Sequence, residues 1–84
     1  MGYDITFSNE SAAQLEALDK PLREQIFKKI GHLADNPNLG EPLSNVLKNK
    51  RRLHIGKYRI IYFIEGKEIV IAKIGHRKDV YIKG

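Results

Sequence analysis

Three side chains that carry or can gain a positive charge, Lys50, Arg52 and His54, stand two residues apart in the run Lys50-Arg51-Arg52-Leu53-His54-Ile55. In an extended chain, period-two alternation puts these three on one face and gives Arg51, Leu53 and Ile55 the other. Arg59 lies at the start of the apolar run Tyr58 to Ile64, and Gly75-His76-Arg77-Lys78 ends the run from Ile69 to Ile74. Such a cluster can hold a phosphate, and an imidazole, His54 or His76, can pass a proton. The three histidines are too scattered for a metal site, and a chain without cysteine has neither thiolates nor disulfides. No metal or cofactor is expected. Plainer readings stand beside this one: a basic strand face can be merely solvated, and a histidine among cations is more often a surface hydrogen-bonding group. Arg59 argues against the plain reading, because its neighbours on both sides are apolar and an apolar residue would be less costly there.

The basicity is local. Residues 1–47 carry four Lys/Arg against seven Asp/Glu, a net charge of −3, whereas residues 48–84 carry eleven against three, a net charge of +8. A positive field of that density attracts polyanions, and nucleic acid is the commonest one inside cells.

The elements that must position these groups follow from the apolar pattern. The runs Tyr58 to Ile64 and Ile69 to Ile74 are β-branched and aromatic, and only Glu65-Gly66-Lys67-Glu68 separates them. They form a β-hairpin, with Gly66-Lys67 suited to a two-residue type II′ turn because Gly takes the positive φ at its first central position. An uninterrupted register sets Ile64 opposite Ile69, Tyr62 opposite Ile71, Arg59 opposite Ile74 and Gly56 opposite Arg77. The basic residues before the first strand and those after the second then meet at one end of the sheet. Gly56-Lys57 leads into this hairpin from the basic strand Lys50 to Ile55. Tyr58 and Tyr62 belong to the core or its rim.

Upstream, Tyr3 to Phe7 alternates as a short amphipathic strand, and Ser8 or Asn9 caps a first helix with Glu10 in its first turn. Asp19-Lys20-Pro21 interrupts the helical spacing of Ala12, Leu15 and Leu18. Pro21 then suits the first turn of a second helix, with the stripe Leu22, Ile26, Ile30 and Leu33 widened by Phe27, ending near Asp35. Asn36 to Pro42 is rich in breakers and forms a loop, followed by an irregular stretch from Leu43 to Leu47. The order is β-α-α-β-β-β, an α+β fold in which an antiparallel sheet carries an N-terminal helical hairpin on one face.

All 84 residues fit one domain, which at this size buries about 60 to 65% of its unfolded surface. No apolar run approaches the ~20 residues of a membrane span, and Asp4 interrupts any secretory pattern, so the expectation is a soluble cytoplasmic protein.

Taken together, the helical pair, the basic strand, Tyr58-Arg59-Ile60-Ile61-Tyr62 and Ile74-Gly75-His76-Arg77-Lys78-Asp79-Val80-Tyr81 resemble the RelE/ParE superfamily of toxins from prokaryotic type II toxin-antitoxin pairs. The resemblance covers essentially the whole chain and is nearest to the RelE branch of archaea and bacteria. It implies the RelE-like microbial RNase fold and a ribosome-dependent endoribonuclease, an mRNA interferase that cuts message in the ribosomal A site. The ribose 2′-hydroxyl would attack, which confines cleavage to RNA. By the same resemblance Arg59 grips the scissile phosphate, Arg77 is general acid or charge stabiliser, and Tyr81 stacks on a base or assists proton transfer. Lys50 and Arg52 fall where the branch has alternating lysines, one of them a general base. A guanidinium holds its proton too tightly to be a good base, so Lys50 is the candidate for that role. Lys48, Lys57, Lys73, Lys78 and Lys83 are expected to contact RNA more remotely. The implied partners are the ribosome, its mRNA and a RelB-like antitoxin whose acidic amphipathic helix neutralises the basic sheet. A ParE-like inhibitor of DNA gyrase, or a decayed toxin that binds antitoxin or RNA without catalysis, are the rival readings.

Overall fold

In the computed structural model, which describes residues 2–42 and 50–76, β1 (Asp4–Phe7) turns Ile5 and Phe7 toward the core and leaves Asp4 and Thr6 outside. Ser8 follows as an N-cap in extended backbone, its Oγ accepting the Ser11 N–H at 3.0 Å, and starts α1 (Asn9–Glu16). After the break at Asp19, α2 (Lys20–Asp35) carries Pro21 in its first turn, where a missing N–H leaves no bond unmade. Ile26, Ile30 and Leu33 are buried, with Leu18 and Leu22 packed beside them. Phe27 widens this stripe less than its spacing predicts: it is 49% exposed and meets Phe7 edge-on at 6.2 Å.

A 3-10 turn (Pro37–Leu39) leads to the two-residue β2 (Glu41–Pro42); the expected irregular stretch from Leu43 to Leu47 lies outside the described residues. The sheet is completed by β3 (Lys50–Ile55), β4 (Tyr58–Glu65) and β5 (Glu68–His76), in the order β1-β5-β4-β3-β2. β3, β4 and β5 pair antiparallel, as the hairpin signals predict, and β2, in a segment whose breakers predict only loop, adds antiparallel to β3. The first strand differs: β1 joins β5 in parallel, a pairing that needs a long crossover, which the helices and the remaining strands provide. The fold is therefore α+β with a mixed five-stranded sheet, and both helices cover one face.

Two tight turns set the last three strands. Gly66 opens the β4–β5 turn at φ 60°, as expected of a type II′ turn, and no non-glycine residue among those described has positive φ. Gly56, at φ 59°, makes the Gly56-Lys57 link a turn of the same kind, joining β3 to β4 directly, since Ile55 pairs with Tyr58.

The register between β4 and β5 starts as the sequence predicts, with Ile64 opposite Ile69 and Tyr62 opposite Ile71, and then slips by one residue. Ala72 is the extra residue of a β-bulge, after which Ile61 faces Lys73, Ile60 faces Ile74, Arg59 faces Gly75 and Tyr58 faces His76. The physical reason is burial. In an uninterrupted ladder Ile74 would share with Arg59 the face opposite α1 and α2, and Lys73 would enter the core; with the bulge Ile74 is buried against the helices.

Candidate functional site

The sheet has one face packed by α1 and α2, built from Leu53, Ile60, Tyr62, Ile69, Ile71 and Ile74. Its other face carries three rungs of cross-strand partners, and directly opposed residues share a face. At the end nearest the Gly56-Lys57 turn stand His54, Arg59 and Gly75; next come Arg52, Ile61 and Lys73; then Lys50, Phe63 and Val70. Arg59 is thus on the central strand, half-buried, with His54 on one side and a residue without a side chain on the other. Its Nη1 donates to the carbonyl of Tyr58 at 3.4 Å. Ile61, only 2% exposed, and Phe63 form the apolar floor, and the Lys50 ammonium lies 4.5 Å from the Phe63 ring centroid.

A carboxylate stands between two of these cations. Glu41 is opposite Arg52 in the sheet, and its Oε1 lies 3.4 Å from both Arg52 Nη2 and His54 Nε2. All three side chains are well exposed, so the cluster orients groups more than it stabilises the fold. Glu41 owes its place to the segment before it. The Tyr62 hydroxyl donates to the Pro37 carbonyl at 2.7 Å and accepts the Gly40 N–H at 2.9 Å, while Arg51 Nη1 donates to the Gly40 carbonyl at 2.6 Å. A Cβ on Gly40 would stand 2.8 Å from the Arg52 carbonyl and from the Tyr62 ring and hydroxyl, so the close approach requires glycine. Burial pushes the Tyr62 phenol above its ordinary pKa, outweighing the opposing influence of the Gly40 N–H and the Arg51 charge.

Comparison with known proteins decides what this basic face belongs to. The family model for the ParE toxin of the type II toxin-antitoxin system parDE matches residues 5–81. The chain belongs to the RelE/ParE superfamily of type II toxins. It is 26% identical over 87 residues to a RelE-like toxin protein of Escherichia coli, covering 96% of this chain and 92% of that one. Its fold is similar to that in the RelBE2 toxin-antitoxin complex of Mycobacterium tuberculosis, with a TM-score of 0.82, 25% identity and coverage of 92% of this chain and 100% of that one. A mutant of free Escherichia coli RelE shares the fold at a TM-score of 0.81 and 17% identity, over 95% of this chain and 88% of that chain.

Within this RelE/ParE toxin, the expected site residues divide. Lys50, Arg52 and His54 share the face opposite α1 and α2, as period two predicts, and the β3–β4 register brings Arg59 to them. Lys73 joins them in register, but its ammonium lies 3.8 Å from Glu10 Oε2 of α1, a pairing that draws it to the rim. Lys57 is exposed in the turn. His76 goes elsewhere: the bulge puts it on the helix-covered side, where its ring meets Tyr58 edge-on at 5.7 Å. Arg77, Tyr81, Lys48, Lys78 and Lys83 lie outside the described residues. The residue that sequence reasoning missed is Glu41. Its signal was a single acid in the Asn36 to Pro42 segment just before a basic strand, and only β2 pairing reveals what it faces.

Proposed function

We propose that this toxin is a ribosome-dependent endoribonuclease that cuts mRNA in the ribosomal A site and so inhibits translation. The observation that supports this reading best is the rung His54–Arg59–Gly75: a guanidinium on the central strand, flanked by an imidazole, on the face opposite α1 and α2. In-line attack by a 2′-hydroxyl needs a base, an acid and positive charge around the phosphorane, and the protein need form no covalent bond. Arg59 grips the scissile phosphate and Arg52 adds charge beside it. Of the two candidate bases, Lys50 is four residues from His54 along β3, roughly 13 Å at ordinary strand rise, and its ammonium rests on Phe63. His54 is directly opposite Arg59, with Glu41 holding its Nε2, so His54 is the better-placed base and Lys50 a contact to the neighbouring backbone. Arg77 follows His76 in the chain and supplies the acid or further charge, with Tyr81 stacking on a base.

The cognate partner is a RelB-like antitoxin, by analogy with the RelBE2 complex of Mycobacterium tuberculosis and the RelB-RelE complex of Methanococcus jannaschii. An acidic amphipathic helix on the basic face would mask the phosphate-binding groups and stabilise the toxin by mass action.

The test is to add purified toxin to a translating extract and map the new ends on the message. Cuts in the A-site codon ending in a 2′,3′-cyclic phosphate are expected. The match to a ParE family model favours a second reading, inhibition of DNA gyrase. An intact message together with inhibited supercoiling would overturn the first reading in favour of the second.

A further inference from the structure

β1 covers the outer edge of β5 only as far as the Phe7–Ile71 pair, which is where the bulge begins. Beyond that point no strand among the described residues continues the ladder on this edge, and side chains of the first helix and its cap take its place. The Ile71 carbonyl, which also accepts the Ser8 N–H at 3.0 Å, accepts from Ser11 Oγ at 2.6 Å. The Ala72 carbonyl accepts from Ser8 Oγ at 2.9 Å, and the Ile74 N–H donates to Gln14 Oε1 at 2.7 Å. Ser8, Ser11 and Gln14 recur every third residue and so line one side of the helix. Ser11 is wholly buried, although α1 would pack more readily with an apolar residue there. The other end of the Gln14 amide donates to Glu10 at 3.5 Å, and Glu10 in turn holds Lys73 across from Ile61.

A bulge disrupts its ladder locally, and the backbone groups on either side need partners. Here those side-chain partners come from one helix and its cap, which among the described RNA-contacting candidates pairs with Lys73 through Glu10. The bulge also decides which residues of β5 accompany Arg59: Gly75 lies opposite it, and His76 is turned to the other side.

We propose that Ser8, Ser11 and Gln14 form a polar clamp on the β5 bulge that positions the end of β5 against Arg59, which makes Gln14 a positioning residue for RNA cleavage. This rests on the endoribonuclease reading above. A clamp of this kind affects the geometry of the reacting groups and leaves phosphate contacts in place, so it shows in the rate at saturation and not in binding.

The experiment compares Gln14→Leu, which keeps the size but removes the acceptor, with Gln14→Glu, which keeps an oxygen for the Ile74 N–H. Amide exchange at Ile74 and single-turnover cleavage on programmed ribosomes are measured where thermal unfolding shows each variant folded. In Gln14→Leu the Ile74 amide should exchange about tenfold faster and cleavage at saturation should slow about tenfold, with the half-saturating ribosome concentration unchanged. Gln14→Glu should restore most of both. Wild-type cleavage by Gln14→Leu, or a Gln14→Glu variant that regains Ile74 protection and stays slow, would overturn the clamp's role in positioning. If the wild-type protein does not cleave message, the endoribonuclease reading fails and the clamp is judged by amide shifts alone. Movement of the Gly75 and His76 resonances in Gln14→Leu would support the clamp, and unchanged resonances would overturn it.

Discussion

Arg51 and Arg52 are adjacent and chemically identical, yet the two faces of β3 give them opposite work. Arg51 points to the helix-covered side, where its guanidinium ties the Gly40 carbonyl beside Tyr62. Arg52 points to the open side, where it shares Glu41 with His54. On the covered face a polar group survives only inside a satisfied network, because an unpaired buried donor costs about 1–3 kcal/mol. On the open face the charged ends are largely hydrated, although Arg52 Nε is buried without a partner, and fold stability depends less on them. That face can therefore concentrate the cations that binding a polyanion requires. Apart from the Gln14 clamp on β5, substitutions on the covered side should lower stability and leave the activity of folded molecules intact, and those on the open side should do the reverse.

The largest expected effect that could break this comparison comes from Arg59→Ala, which should slow single-turnover RNA cleavage roughly 10²–10³-fold while shifting the urea midpoint little. A protein that unfolds earlier in proportion to its lost activity would instead make Arg59 a structural residue. On the other side of the sheet, Gly40→Ala should lower unfolding free energy by about 2–3 kcal/mol, since the added carbon overlaps the Arg52 carbonyl and the Tyr62 ring. Chemical denaturation measures this directly, and cleavage per folded molecule should fall only as far as Glu41 is displaced.

Tyr62→Phe should cost about 1–2 kcal/mol, because it leaves the Gly40 N–H and the Pro37 carbonyl without their partner. It also carries a pH signature. Burial holds the phenol above its ordinary pKa of 10.0, so the folded state keeps a proton that the unfolded chain gives up. The associated stability is complete below that unfolded value and is lost as pH rises through the higher folded one. Denaturation across the alkaline range should show this loss in the wild type, and Tyr62→Phe should flatten it. Smallest of all, Lys57→Ala at the exposed turn should weaken ribosome binding a few-fold and reduce its salt dependence by about one phosphate contact, with the saturated rate unchanged.

Much of this arrangement is legible in the chain. The Ser8 cap, Pro21 in the first turn of α2 and the glycine that opens the β4–β5 turn are local requirements of backbone geometry, so residue type alone places them. The alternation of Lys50, Arg52 and His54 is equally local, and it predicted the basic face before any partner strand was known. The bulge left a partial trace: apolar positions run Ile69, Ile71 and then Ile74, a spacing of three where a regular strand has two.

What the tertiary structure alone decided are the relations between segments distant in sequence. The parallel seat of β1 beside β5, the approach of Gly40 to Tyr62, and Glu41 facing Arg52 and His54 each join residues from separate elements. So does the removal of His76 from the Arg59 face, because a one-residue slip in β5 takes effect only through its pairing with β4. Sequence period records which residues can share a face of their own strand, since that follows from bond geometry within the segment. Which faces meet, and in what register, depends on the combined burial of Ile60, Ile74 and the helices above them, a quantity that exists only once the chain has folded.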